Sequence, residues 1–185
     1  MIKNTSDGYG LLAILIHWLM ALTIFFMFGL GLYMVELTYY DPWYRGSTSL
    51  HKSIGLTLVA VYVFRLVWRF SNKKPQPITE KVWERRVAHI MHIALYIAMI
   101  LLFVSGYLIS TADGRAIVIF DLFDVPAIGY AIENQEDIAG AIHEYLAWGL
   151  IAMVAVHLIA AIKHQFFDKD GTLLRMLKPA KNKPS

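Results

Sequence analysis

The sequence predicts an all-α membrane protein, a four-transmembrane-helix bundle with both termini in the cytoplasm. Three observations predict it. Of 185 residues, 57% are hydrophobic and 17% are charged, whereas a water-soluble chain of this size is normally about a quarter charged. Four separate segments reach the roughly 20 apolar residues needed to cross about 30 Å of hydrocarbon. Lys and Arg gather mostly at the termini and in the second connection. Disorder is excluded by ten Phe, ten Tyr and five Trp, a payload that unfolded segments do not carry.

The first span runs over about 11–34. Lys3 precedes it, but its apolar stretch is too long for a secretory leader and no small-residue cleavage site follows Met34, so it is read as retained. The second span covers about 50–70, the third about 87–109 and the fourth about 138–163. Helices are the only fit, because lipid-facing backbone must satisfy its own hydrogen bonds and no alternating barrel-strand pattern is visible. Asn72 to Pro77, with two Lys and two Pro, reads as a linker turn. No internal repeat divides the chain, so 1–185 is read as a single domain with a basic tail over 164–185. In that tail Asp168 to Gly171 reads as a turn and Thr172 to Leu177 as a short helix on the membrane surface.

Orientation follows from charge. Lys3, then Lys73, Lys74, Lys81, Arg85 and Arg86, then Lys163, Lys169, Arg175, Lys178, Lys181 and Lys183 all fall on one side. The first connection offers Arg45, with Lys52 at the following helix start; the third offers Arg115 among Asp113, Asp121, Asp124, Glu133, Glu136 and Asp137. The acidic loops therefore face outward. Topology explains the net charge of +3, and with no nucleic-acid motif present a nucleic-acid partner is not expected. Trp18, Trp43, Trp68, Trp83 and Trp148 read as aromatic-belt residues.

There is no cysteine, which removes disulfides, thiolate metal sites, iron–sulfur clusters and covalently attached haem. Histidine remains, and inside a membrane an ionisable residue is a functional candidate by default. His143 and His157 are fourteen residues apart, which on an α-helix is about 21 Å of rise and within about 40° of whole turns. Both rings therefore leave one face of the fourth helix at two depths. His17, early in the first span, matches the depth of His157 on the inner side. His51, early in the second, matches His143 on the outer side. Two His pairs at two depths suit two b-type haems with axial imidazoles, His17/His157 on the inner iron and His51/His143 on the outer iron.

Arg65 lies fourteen residues beyond His51 and reads as a partner for a haem propionate. Arg69, one turn on, is either an interfacial residue or a propionate or quinone contact. His89 and His92 share a face at the start of the third span. Of these, His92 is the candidate for supporting the inner haem or hydrogen-bonding a quinone, with replacement of His17 or His157 as ligand as the other option. His164 reads as an interfacial anchor or a proton relay for a quinone. Gly55, Gly106 and Gly149 are small residues suited either to a macrocycle lying against a helix or to close helix packing.

His17-Trp18, the run His51 to Gly55, the His89/His92 pair, the His143/His157 pair and the closing run Lys163 to Met176 together resemble a bacterial cytochrome b561 over nearly the whole chain. The four-histidine layout is also similar to the cytochrome b subunits of formate dehydrogenases and nickel–iron hydrogenases. The resemblance implies a bacterial inner-membrane protein with two haem b groups that moves electrons between a periplasmic redox partner and ubiquinone or menaquinone. It extends to a branch that resembles a superoxide oxidase, although six carboxylates around Arg115 would repel an anion unless Arg45 and Lys52 form a local positive funnel. Two other readings are a haem-bearing membrane anchor of a larger dehydrogenase and a haem-free metal transporter.

Overall fold

The computed structural model describes residues 1–128 and 132–180. Lys181 and Lys183, counted above in the basic tail, lie outside them. Four helices carry the chain: α1 (Leu11–Val35), α2 (Tyr44–Ser71), α3 (Val82–Ser110) and α4 (Gln135–Phe166), each long and apolar enough to cross a membrane. Every one extends beyond its hydropathic span. α2 begins at Tyr44 and not near Leu50, because its first turn is polar: the Ser47 and Thr48 hydroxyls donate back to the Tyr44 carbonyl. α3 likewise starts with the charged Glu84, Arg85 and Arg86. Hydropathy registers hydrocarbon, whereas the backbone ladder continues into the headgroup region.

The third connection holds an element that hydropathy did not suggest. β1 (Ile117–Ile119) and β2 (Phe123–Val125) form an antiparallel hairpin, with Ile117 opposite Val125 and Ile119 opposite Phe123. Its turn puts Phe120 and Asp121 at φ of 48° and 57°, a left-handed conformation unusual for a bulky aromatic. The Phe120 N–H donates to the buried Ser53 hydroxyl on α2, 3.1 Å away. Ile117 and Ile119 turn inward while Val118 stays exposed, the alternation expected of a half-buried strand.

Contacts divide the chain into two compact units. The first comprises Met1–Ala21, Val61–Leu95 and the chain from Ala152 onward. Ile14, Ile16, Met20 and Tyr62 are buried in it. Its N-terminal segment is tied to the linker and tail: Gln76 N–H donates to Ser6 O and Ala180 N–H to Tyr9 O, while Trp18 Nε1 donates to Met176 O at 2.6 Å. The tail turns at Lys169 and Gly171, both with positive φ, into a short 3-10 helix, η1 (Leu174–Met176).

The second unit comprises Leu22–Ala60 and Tyr96–Ile151. Leu58, Ala98, Met99 and Leu150 are buried there, along with Ser47, Ser53, Ser105 and Thr111. Small hydroxyl residues let helices approach closely and return their hydrogen bonds to their own backbone: Ser105 donates to Leu102 O and Thr111 to Tyr107 O. Leu22, Phe25, Phe26, Ile97, Leu101 and Val104 are exposed, as lipid-facing side chains are in a membrane helix.

Candidate functional site

In the second unit, α2 carries His51 and α4 carries His143, and their ring centroids stand 6.3 Å apart with the planes at 69°. His143 Nδ1 lies 3.1 Å from the Leu102 carbonyl and 3.0 Å from Ser105 Oγ. A carbonyl only accepts, so Nδ1 carries the proton and Nε2 is left bare, the state in which imidazole binds a metal. His51 Nδ1 is buried without a hydrogen-bond partner among the described residues. Two imidazoles bound to one iron from opposite sides stand roughly 6 Å apart between centroids. The pair therefore fits a bis-histidine haem iron.

Glycine lies against both rings. A Cβ on Gly106 would stand 3.0 Å from His143 Cε1, and one on Gly31 would stand 3.5 Å from His51 Cε1. Gly55 faces the end of Met27, while a Cβ on Gly149 would meet nothing within 4 Å among the described residues. Gly106 thus clears the imidazole itself. The spacing gives Gly31 a matching position: it is fourteen residues beyond His17, as Gly106 is fourteen beyond His92.

The first unit gathers His17, Arg65, His92 and His157. Arg65 Nη2 is 3.1 Å from His17 Nδ1; guanidinium only donates, so this nitrogen accepts. His92 and His157 have ring centroids 5.4 Å apart. His17 is within electrostatic reach of Arg65, His157 and His92, and His92 of His157, Arg69, Arg65 and His89. Three imidazoles are thus gathered in this unit, and the short ring contact is between His92 and His157. Arg65 engages His17, and a propionate would compete for the same guanidinium.

His164 sits near the end of α4, its Nδ1 2.7 Å from Asp170 Oδ2 and 3.1 Å from Asp168 Oδ2. Sequence reasoning missed these two carboxylates as functional neighbours, reading them only as a turn. It also missed Ser105 and the Leu102 carbonyl. A signal existed for the first pair, in an Asp-x-Asp just after a helix-terminal His; none existed for a carbonyl supplied by another helix.

Two open clefts mark the second unit. One of about 310 Å³ is lined by Arg45, Thr48, Ser49 and Lys52 with Ile117 and Val118 of the hairpin. The other, of about 410 Å³, is lined by Asp113, Glu133, Glu136 and Asp137 among others. Arg45 and Lys52 thus line one cleft and Asp113, Glu133, Glu136 and Asp137 the other, while Arg115 pairs with Asp113. Arg45 also donates to the Tyr39 hydroxyl at 2.9 Å.

The family model described as prokaryotic cytochrome b561 matches residues 8–179. Cytochrome b561 homolog 2 of Escherichia coli (strain K12) is 45% identical over 175 residues, 94% of this chain and 93% of that protein. The probable superoxide oxidase CybB of Yersinia pestis is 29% identical over 176 residues, covering 91% and 95%. Cytochrome b561 homolog 1 of Escherichia coli (strain K12) is 25% identical over 173 residues, covering 89% and 93%.

Proposed function

The chain belongs to the prokaryotic cytochrome b561 family, and from that premise we propose that it is a dihaem cytochrome passing electrons between a periplasmic redox partner and the membrane quinone pool. The family implies b-type haem and a multi-pass bacterial membrane protein. In this reading His51 and His143 hold one haem, His17 and His157 hold the other, and Arg65 turns to a propionate. Both termini lie on the cytoplasmic side of the inner membrane, and residues 1–185 act as one domain.

The observation that carries the reading is the His51–His143 pair, 6.3 Å between centroids, with His143 Nδ1–H committed to the Leu102 carbonyl. Two neutral imidazoles on one iron leave no open coordination position, so bound haem supplies one-electron exchange in preference to oxygen activation. The Leu102 carbonyl and Ser105 hydroxyl would fix the orientation of the His143 ring toward a bound iron. His92, Arg69 and His164 are the groups available to a quinone in the first unit. A dithionite-reduced-minus-oxidised spectrum with a pyridine haemochrome assay tests this. Two haem b per chain, reoxidised by ubiquinone or menaquinone analogues, is the expected result; a folded, haem-supplied preparation without haem would overturn it.

The basic cleft favours a small anion as the donor. Arg45 and Lys52 line it together, Lys52 follows His51 directly in α2, and superoxide would be drawn to such a cleft. Two superoxide ions, two protons and one quinone would give two dioxygen molecules and one quinol. Superoxide added to the oxidised protein should reduce haem above a superoxide-dismutase control, and Lys52→Glu should slow that step roughly tenfold at low salt. No reduction above the control would leave a cationic periplasmic protein, docked on the acidic cleft, as the donor.

A further inference from the structure

We propose that Asp170 is a positioning residue that commits Nδ1–H of His164 and so makes its Nε2 the proton donor to a quinone bound at that end of α4. The inference rests on the quinone-linked reading above. His164 lies seven residues beyond His157, two turns along the same helix face and about 10 Å further on. It is therefore the next imidazole on the face that carries His157.

The geometry around this ring is built from two sides. His164 Nδ1 is 2.7 Å from Asp170 Oδ2, and an ionised carboxylate only accepts, so the ring nitrogen donates. Asp170 cannot swing away, because its other oxygen, Oδ1, accepts the Thr172 N–H at 2.9 Å and the Thr172 hydroxyl at 2.7 Å. The Asp170 N–H in turn donates to the His164 carbonyl at 3.2 Å. A carboxylate anchored at both oxygens and through its own backbone fixes which nitrogen of its histidine is occupied.

A second row of charges backs the first. Asp168 Oδ2 receives both His164 Nδ1, at 3.1 Å, and Lys163 Nζ, at 2.6 Å. Lys163 also reaches Glu84 Oε1 at 3.3 Å, where Lys81 Nζ arrives at 3.2 Å; the Thr79 hydroxyl donates to Glu84 Oε2 at 2.7 Å. Three carboxylates (Glu84, Asp168, Asp170) thus face two ammonium groups (Lys81, Lys163) and the His164 imidazole. Glu84, His164 and Asp168 offer atoms within 4.8 Å of one another, but Lys163 already stands between the two carboxylates, which disfavours a divalent cation there. Imidazole is the group in this set that can hold a proton on one ring nitrogen and pass one through the other.

Reduction of a quinone takes two electrons and two protons and forms two O–H bonds. In the proposal the electrons come singly from haem b, and each proton leaves Nε2 of a protonated His164. The ring regains a proton from solvent beside Lys163 and Asp168, whose side chains are 44% and 28% exposed. A purely structural network would pin the tail to α4 without touching this transfer.

The two are separated with full-length, haem-loaded wild type, Asp170→Asn, Asp170→Glu and Thr172→Val. Stopped flow reads the reoxidation of dithionite-reduced haem by decylubiquinone from about pH 5.5 to about pH 9, and the ring-nitrogen NMR signal of ¹⁵N-histidine-labelled protein, assigned with His164→Gln, reads the tautomer without turnover. The expected result is unchanged haem content, KM within about twofold, and kcat lowered at least about tenfold in Asp170→Asn. The alkaline limb should move, Asp170→Glu should recover much of the rate, and the His164 Nδ1–H signal should be lost in Asp170→Asn. Wild-type rate and pH profile in Asp170→Asn would overturn the inference alone, as would a rate loss fully matched by lost haem. A haem-loaded wild type that decylubiquinone does not reoxidise would overturn the quinone reading and this inference together.

Discussion

His51 and His143, ninety-two residues apart in the chain, face one another in the second unit with ring centroids 6.3 Å apart. The contact is asymmetric. His143 is oriented by the Leu102 carbonyl and the Ser105 hydroxyl, whereas buried His51 Nδ1 has no hydrogen-bond partner among the described residues. In the proposed site, an imidazole held this way would be preset as a ligand, while the other could adjust to a bound iron.

Replacing either ring with Ala should remove one haem and leave the other. The pyridine haemochrome should fall from about two haems per chain to about one, with the remaining spectrum retained. Loss of both haems from each single variant, at unchanged melting temperature, would count against independent sites.

Gly106 tests the packing. A Cβ there would lie 3.0 Å from His143 Cε1, so Gly106→Val forces the ring or the helix to shift, at a cost on the order of 1–3 kcal/mol. Haem occupancy of the His51/His143 site and the melting temperature should both drop. Gly140→Ala on α4, where a Cβ meets nothing within 4 Å among the described residues, should be neutral or slightly stabilising.

His92 is the discriminating residue of the first unit, since its ring is 5.4 Å from that of His157. With His17 and His157 as ligands, His92→Ala keeps both haems and loses most of its quinone reduction. Loss of one haem from His92→Ala, with both kept in His17→Ala, would transfer the axial role to His92.

Asp170 sets an acid limit. Partial burial raises its pKa, but the hydrogen bonds from Thr172 and His164 outweigh this and hold the carboxyl below its ordinary 3.8. A depressed carboxylate stabilises the fold fully above its unfolded value and loses that contribution as pH falls through the folded value. Asp170→Asn should therefore melt below wild type at pH 6, by about 2–4 °C if the contribution is about 1 kcal/mol. The gap should close below about pH 4. A gap that persists unchanged at pH 3 would show that charge is not the cause.

Particular residues show how much could be read from the chain. The four spans were legible because hydrocarbon transfer is a local, additive property of each segment. Their ends were not, since polar turns such as Tyr44 to Ser49 remain helical beyond the apolar window. The hairpin at Ile117–Val125 was hidden because Asp121 and Asp124 give it the composition of a loop, and its turn meets Ser53 of α2 only in the folded chain. His17, His51, His143 and His157 stood out as ionisable groups where few belong, and the fourteen-residue interval placed His143 and His157 on one face.

The sequence by itself determined the membrane class, the helix count and the positions fourteen apart, because hydropathy and the α-helical period act within a segment. Depth had already matched His51 with His143; only the tertiary structure brought His92 to His157 and Arg65 to His17. In a membrane helix the lipid-facing side is as apolar as the packed side, so no amphipathic stripe announces the inward face. Contacts between distant segments, and the carbonyl and carboxylate partners that orient each imidazole, come into being only when the helices pack.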